Sequence, residues 1–424
     1  MRRNIFPVFA LLLGALFLFI GNGLHGLLLP VRGASEGYST TILGLLGTAW
    51  AGGFVTGCFV APALVRRIGH VRAFSGCISL IAIVALLTGL VVNDIAWVAL
   101  RAMTGFAAAG TSMIVESWLN ERATNESRGT IFSLYFVINL SGVVAGQMVV
   151  SFGDVHTPVL FMICGILYCV AMLPTTLSNA ASPQPLKNVK LDLKSLFSHS
   201  PVAFVGILLI GIANGAFGTL GAVFGARAGL PQASIGLMMS AAIFAGALLQ
   251  LPAGRISDRM DRRYVLAALA GIAALAGIIL VVLQPTNVIF LIVIVAIYGG
   301  TANTLYPIAV AHANDHAAPD EFVKVSGGLL LLFGIGTIIG PTVGGPVMSA
   351  LGPYSLFLIT AIAHIATVGY AILRTRMRAA VPIADRENFT TVSNTPNALT
   401  TPQGAELDPR AGGDNRQDGL QAAE

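Results

Sequence analysis

The sequence predicts an all-α membrane protein of twelve transmembrane helices, arranged as two six-helix pseudo-symmetric parallel repeats. Three observations carry this. The chain of 424 residues is 55% hydrophobic and only 10% charged, whereas a soluble domain carries about 25% charged residues. Its apolar residues fall in runs of roughly 20 or more, the length that crosses a ~30 Å hydrocarbon layer as helix. A glycine pattern also returns after 192 positions: Gly23, Gly26, Gly33, Gly37 and Gly44 fall on Gly215, Gly218, Gly225, Gly229 and Gly236, and Asn22 falls on Asn214.

Taken in order, the first half, residues 1–178, offers spans at 6–30, 40–64, 71–92, 94–118, 129–152 and 157–178. The basic start "MRRNIF" resembles that of a secretory signal, but the run is long enough to span and no small-residue cleavage site follows it. Residues 179–199, "NAASPQPLKNVKLDLKSLFSH", are polar and read as a cytoplasmic linker. The second half, 200–378, offers spans at 200–224, 232–256, 263–284, 286–313, 322–350 and 353–375. With the offset relaxed to 194, Gly105, Asn120, Gly142 and Gly146 match Gly299, Asn314, Gly336 and Gly340. An even number of spans per half makes the copies parallel, related by an axis along the membrane normal, with a solute site between them. Residues 379–424 are rich in Asn, Thr, Pro, Gln and Gly, and that composition predicts a disordered tail.

Lys and Arg in short loops set orientation. Arg2, Arg3, Arg66, Arg67, Arg72, Arg122, Arg128, Lys187, Lys190, Lys194, Arg255, Arg259, Arg262, Arg263, Lys324, Arg374, Arg376 and Arg378 fall on one side, against Arg32 and Arg227 on the other. Both termini are therefore expected to be cytoplasmic, and the net charge of +5 reflects topology rather than nucleic-acid binding. Cys58, Cys77, Cys164 and Cys169 all lie in spans, with neither a disulfide framework nor a zinc pattern. The chain contains no G-x-x-x-x-G-K-[ST] loop, so neither a nucleotide nor another cofactor is expected.

Several motifs then point to one family. "GRISDRMDRR", residues 254–263, resembles the loop signature G-x-x-x-D-R-x-G-R-R of the major facilitator superfamily, with Asp261 where glycine is usual. Its copy in the first half, "PALVRRIGHVR", is degenerate. "RAMTGFAAAG", residues 101–110, looks like the family's fourth-helix pattern. "GIGTIIGPTVGG", residues 334–345, resembles the glycine-proline motif of its antiporters, here in the eleventh span rather than the fifth. "ESWLNERATNESRG", residues 116–129, is similar to the YcaD-type group of bacterial facilitators. The resemblance implies the facilitator fold and a secondary active transporter of the bacterial inner membrane. Such a protein moves a small organic solute by alternating access, coupled to protons, and works as a monomer. The glycine-proline motif favours export.

The chemistry rests on few residues. Arg101 lies about 10 Å into the fourth span, where a cation costs at least ~2.5 kcal/mol unless it meets water, carbonyls or an anion. By resemblance it couples protons or holds an anionic group; the alternative is snorkelling or a structural bond. Glu116, about 22 Å further along the same helix, is out of reach of Arg101. It reads either as a proton carrier or as a gate paired with a basic residue such as Arg122 or Arg128. His25, one turn from Asn22, is titratable near neutral pH. It breaks the repeat, since Phe217 stands in the other copy.

Family resemblance places the first, fourth, seventh and tenth spans around the cavity. That adds Asn214, Tyr298, Asn303 and Tyr306 as substrate candidates, with Trp50, Gln250, Tyr135 and Asn139 as weaker ones. Arg67, Asp258 and Arg259 are expected to act in gating, by bridging helix ends across the basic face. "HANDH", residues 312–316, has metal-ligand spacing. It leaves open a membrane-embedded enzyme as a second reading, and a sensor signalling through its tail is a third.

Overall fold

The computed structural model describes residues 2–124, 127–176, 193–317, 321–383, 386, 389–391 and 401–407. The first half forms α1 (Arg2–Ser35), α2 (Thr40–Ile68), α3 (His70–Leu90), α4 (Asp94–Arg122), α5 (Arg128–Phe152) and α6 (Val159–Thr176). A short helix α7 (Leu193–His199) precedes α8 (Pro201–Arg227), α9 (Gln232–Arg259), α10 (Arg262–Leu283), α11 (Val288–Asn314), α12 (Phe322–Leu351) and α13 (Ser355–Met377); α14 (Pro402–Leu407) follows. Among the described residues, eleven helices are long and apolar enough to cross a bilayer, and α6 is a shorter apolar helix.

Local chemistry sets the helix ends. Ser39, Asn93 and Asn287 each accept a hydrogen bond from a backbone N–H in the first turn, those of Ile42, Ala96 and Phe290. The ends of α1 and α8 share one device 192 positions apart. Gly37 and Gly229 adopt φ of 81° and 80°. Their N–H groups donate to Ala34 and Ala226, and the next residues, Tyr38 and Leu230, donate to Gly33 and Gly225. This is a Schellman stop, which needs a residue tolerant of the left-handed region.

The pairing of helices repeats as well. α1 packs on α5 and α6, α2 on α4, and α3 on α4 and α6; likewise α8 packs on α12 and α13, α9 on α11, and α10 on α11 and α13. Small residues make the central crossings close, as membrane helices require. A Cβ on Gly23 would lie 2.2 Å from the Val143 carbonyl oxygen, and one on Gly215 would lie 2.5 Å from the Thr337 Cα. The two bundles meet chiefly through α2 against α12 and α5 against α9.

The structure departs from expectation at both polar stretches. The linker, 179–199, ends in α7, while residues 179–192, with Lys187 and Lys190, lie outside the described residues. The tail is not structureless throughout. α14 packs on α4 and α12, and Thr401 is fully buried. The Phe389 N–H donates to the Asp258 carboxylate at 3.1 Å, and its ring lies against Gly254. Composition measures what a segment can bury by itself; Phe389 and residues 401–407 pack on surfaces formed elsewhere in the chain.

Candidate functional site

A cavity of about 500 Å³ of empty space, counting its mouth, lies between the bundles. Its walls are Gly26, Leu29 and Pro30 of α1, the segment Leu43–Ala51 of α2, Arg101 of α4, Gly215, Gly218 and Thr219 of α8, and Thr337 of α12. The repeated glycines explain this opening: Gly23 and Gly215 bring helices together within each bundle, and Gly26 and Gly218, one turn on, leave space between them. Arg101 is 8% exposed and stands over the Trp50 ring at 5.8 Å from its centroid, a cation–π contact. Trp50 in turn stacks on Phe54 at 5.2 Å. Among the described residues, no carboxylate and no hydrogen-bond acceptor engages Arg101.

Toward the arginine-poor face the cavity is shut by contacts between the bundles. Thr40 donates to the Gly345 carbonyl at 2.8 Å, the Thr48 and Thr342 hydroxyls lie 2.8 Å apart, and the Pro341 carbonyl rests on Gly44. On the other flank Gln232 donates to the carbonyls of Val150 and Gly153, and Ser240 to Gln147 at 3.2 Å. Arg227 donates to the Tyr38 carbonyl at 2.7 Å. The "GPTVGG" motif thus uses one helix twice: Gly340 and Gly344 fit α12 to α8, and Pro341 and Gly345 fit it to α2.

Toward the arginine-rich face lies Glu116, 1% exposed. Its partners are the Tyr135 hydroxyl, at 3.2 Å, and the Thr401 hydroxyl, with the Thr401 and Gly404 backbone N–H groups also directed at it. Asn120 donates to the Gln403 carbonyl at 2.8 Å. Neither Arg122 nor Arg128 is among these partners; a tail segment far away in sequence holds this carboxylate.

Other expected residues lie behind the cavity wall. His25, 1% exposed, has no partner on either ring nitrogen and meets Phe161 edge-on at 6.3 Å. The Asn22 side chain accepts from Tyr168 at 3.1 Å, and Asn214 donates to the Ala302 carbonyl at 3.4 Å. Phe217, Tyr298 and Phe357 form an aromatic cluster with His364 inside the second bundle. Asn303 donates to the Ala242 carbonyl at 3.3 Å, and Tyr306 packs on Phe333. The tenth span, α11, contributes no residue to this cavity wall; α2 and α12 do, and α11 packs chiefly on α9 and α10. Thr219 and Thr337 were missed by sequence reasoning, although Thr219 directly follows the repeated Gly218.

The basic signature is a lock within one bundle. Arg262, 1% exposed, donates to Asp315 at 2.7 and 3.3 Å and to Asp258 at 2.9 Å, while Arg263 grips Asp261 at 2.7 Å. Burial pushes the Asp315 carboxyl above its ordinary range, with Arg262 pulling it back. For Asp261 burial also acts upward, but the bonds from Arg263 outweigh it and hold the group low. Arg67 and Arg259 are exposed, so Asp258 does not bridge the bundles through Arg259 here. Within "HANDH", Asp315 is taken by Arg262, and His316 bonds the His312 carbonyl at 2.9 Å.

Two equivalent six-helix bundles around a shared cavity are the architecture of a membrane transporter. Residues 11–234 and 203–401 match the Major Facilitator Superfamily, and the chain belongs to that family. It is 26% identical over 367 residues to the uncharacterized MFS-type transporter YcaD of Escherichia coli O45:K1 (strain S88 / ExPEC), an alignment covering 84% of this chain and 92% of that protein; the YcaD of strain O81 (ED1a) matches equally. The fold is similar to the crystal structure of the nucleoside transporter NupG, with TM-score 0.73, 17% identity, and coverage of 88% of this chain and 100% of that one. It is also similar to a bacterial homologue of the human lysosomal transporter Spinster, inward-facing and occupied, with TM-score 0.74, 16% identity, and coverage of 90% and 97%.

Proposed function

We propose that this transporter is a secondary active carrier of the bacterial inner membrane, with both termini cytoplasmic, that moves a small organic solute by rocking its two bundles about the cavity at Arg101. The observation that carries the reading is the closure of that cavity toward the arginine-poor face by short polar contacts between α2 and α12, beside a glycine-cushioned interface able to separate. With the arginine-rich face cytoplasmic, the geometry corresponds to an inward-facing state whose mouth is occupied by the chain's own tail. Protons are the coupling ion in this reading, and Glu116, a buried carboxylate on the cytoplasmic side, is the group placed to carry them. Export is the favoured direction on the glycine-proline motif. The family points to a transporter rather than an enzyme, and Asp315 of "HANDH" already serves a structural ion pair.

The test is a solute screen in proteoliposomes with an imposed pH gradient, comparing wild type with Thr48→Cys/Thr342→Cys. Wild type moves a solute in response to the gradient. Oxidation of the cysteine pair stops movement and a reductant restores it. If the cross-linked protein transports as fast as the reduced one, the rocking mechanism fails; if the gradient never matters, proton coupling fails.

A further inference from the structure

Resting on the transporter reading, we propose that the cavity binds an organic monoanion: a carboxylate-type group held by Arg101, and a flat apolar body lying against the α2 wall at Trp50, with a hydroxyl reaching Thr219 and Thr337. Charge comes first. Arg101 is the one ionisable side chain lining the cavity, and no described carboxylate answers it. Glu116 is held by Tyr135 and Thr401, Glu36 by Arg32, and Asp94 accepts from the Ile95 N–H in the first turn of α4. A guanidinium kept in the bilayer interior without an internal counter-ion is matched by one that arrives from outside.

Orientation follows. The Trp50 face holds the guanidinium, which pre-sets a planar fork of donors for a two-oxygen acceptor. Thr337 already donates its hydroxyl to the Gly334 carbonyl at 2.8 Å, so it offers the ligand a lone pair. Thr219 makes no hydrogen bond among the described residues. The remaining walls are leucine, proline, alanine and glycine. That surface, apolar with a few placed polar groups, suits a single ring or a short aliphatic body. With no acidic side chain in the walls, the site favours an anion over a simple amine. Arg101 belongs to the first bundle and the two threonines to the second. A bound anion therefore ties the bundles together across the interface that must rock.

The experiment is equilibrium binding to the purified full-length chain in nanodiscs, followed by tryptophan fluorescence and calorimetry. The probes are a matched aromatic and aliphatic panel: 4-hydroxybenzoate, benzoate and hexanoate, their neutral amides, and the corresponding primary amines. The carboxylates bind at least tenfold more tightly than their amides, and the amines do not bind. Arg101→Ala removes carboxylate binding, Arg101→Lys weakens it by about tenfold through loss of the fork, and Trp50→Leu weakens the aromatic acids more than hexanoate. Because the anion-over-amide preference is read on the wild type, the result does not depend on any variant folding. Equal binding of amides or amines, carboxylate binding that survives Arg101→Ala, or no binding by any member overturns the proposal. Carboxylate binding at Arg101 without gradient-driven movement in proteoliposomes would instead leave the site standing and remove the carrier reading. Transport of a neutral or cationic solute would do the reverse.

Discussion

The first bundle buries His25, Arg101 and Glu116, whereas the second has Phe217 in the place of His25, with Tyr298 and Phe357 packed around it. Both use the same crossings and the same Schellman stops, so the difference is not one of scaffold. Each bundle buries polar groups that its fold leaves incompletely satisfied, His25 in the first and His364 in the second; what differs is the cation in the cavity wall of the first, Arg101, and the aromatic cluster and rim lock of Arg262, Asp258 and Asp315 in the second. Pseudo-symmetry builds the cavity, and its local breaks furnish it.

The rim offers the sharpest way to break the comparison. Asp315→Ala takes from the buried Arg262 one of its two carboxylates and is expected to cost about 3 kcal/mol, read as a lower thermal midpoint in detergent. Arg67→Ala, exposed on the other bundle, stays within about 0.5 kcal/mol. Equal losses would show that the first bundle has a lock of its own. Next come the exchanges at the broken position. Phe217→His buries an imidazole among rings and costs about 1–3 kcal/mol; His25→Phe removes two unpartnered nitrogens and raises the midpoint. If His25→Phe is more stable yet inactive in the proteoliposome assay, the histidine is kept for function. Gly23→Ala and Gly215→Ala each force a crossing apart and cost about 1–3 kcal/mol; a loss at one site alone would deny that the crossings are equivalent.

Smaller effects concern the arginine-rich face. Thr401→Val deletes a bond to a carboxylate and raises amide exchange over residues 401–407 about tenfold; unchanged exchange means the tail is held by other contacts. Burial lowers the proton affinity of His316. Between its folded value and about 6.5 the unfolded chain binds the extra proton, so stability is full above that window and falls as pH drops through it. Lowering pH from 7.5 to 5.5 therefore costs wild type slightly more in thermal midpoint than His316→Gln, and identical pH slopes would exclude the effect.

The spans and the twofold repeat were legible because they rest on local quantities, namely run length, hydropathy and glycine spacing. Arg101 was legible for the same reason: a cation inside an apolar run is a local anomaly. The aromatic and amide candidates of the tenth span do not line the cavity at Arg101; facing is decided by which neighbour occupies each side of a helix, and residue type is silent on that. Glu116's partner was out of reach of any local reading, since Thr401 lies 285 positions away. Thr219 and Thr337 carried little signal, because a lone threonine in a span commonly bonds its own helix, as Thr304 does with Gly300.

The seating of Thr401 and Gln403 on α4 has a consequence for how affinity is to be read. A segment tethered to the surface it covers is present at a local concentration fixed by chain length, so diluting the protein or changing its expression does not release it. A ligand that needs the same α4 surface at Glu116 meets a constant occupancy, which lowers its apparent affinity by the fraction of time that surface is free.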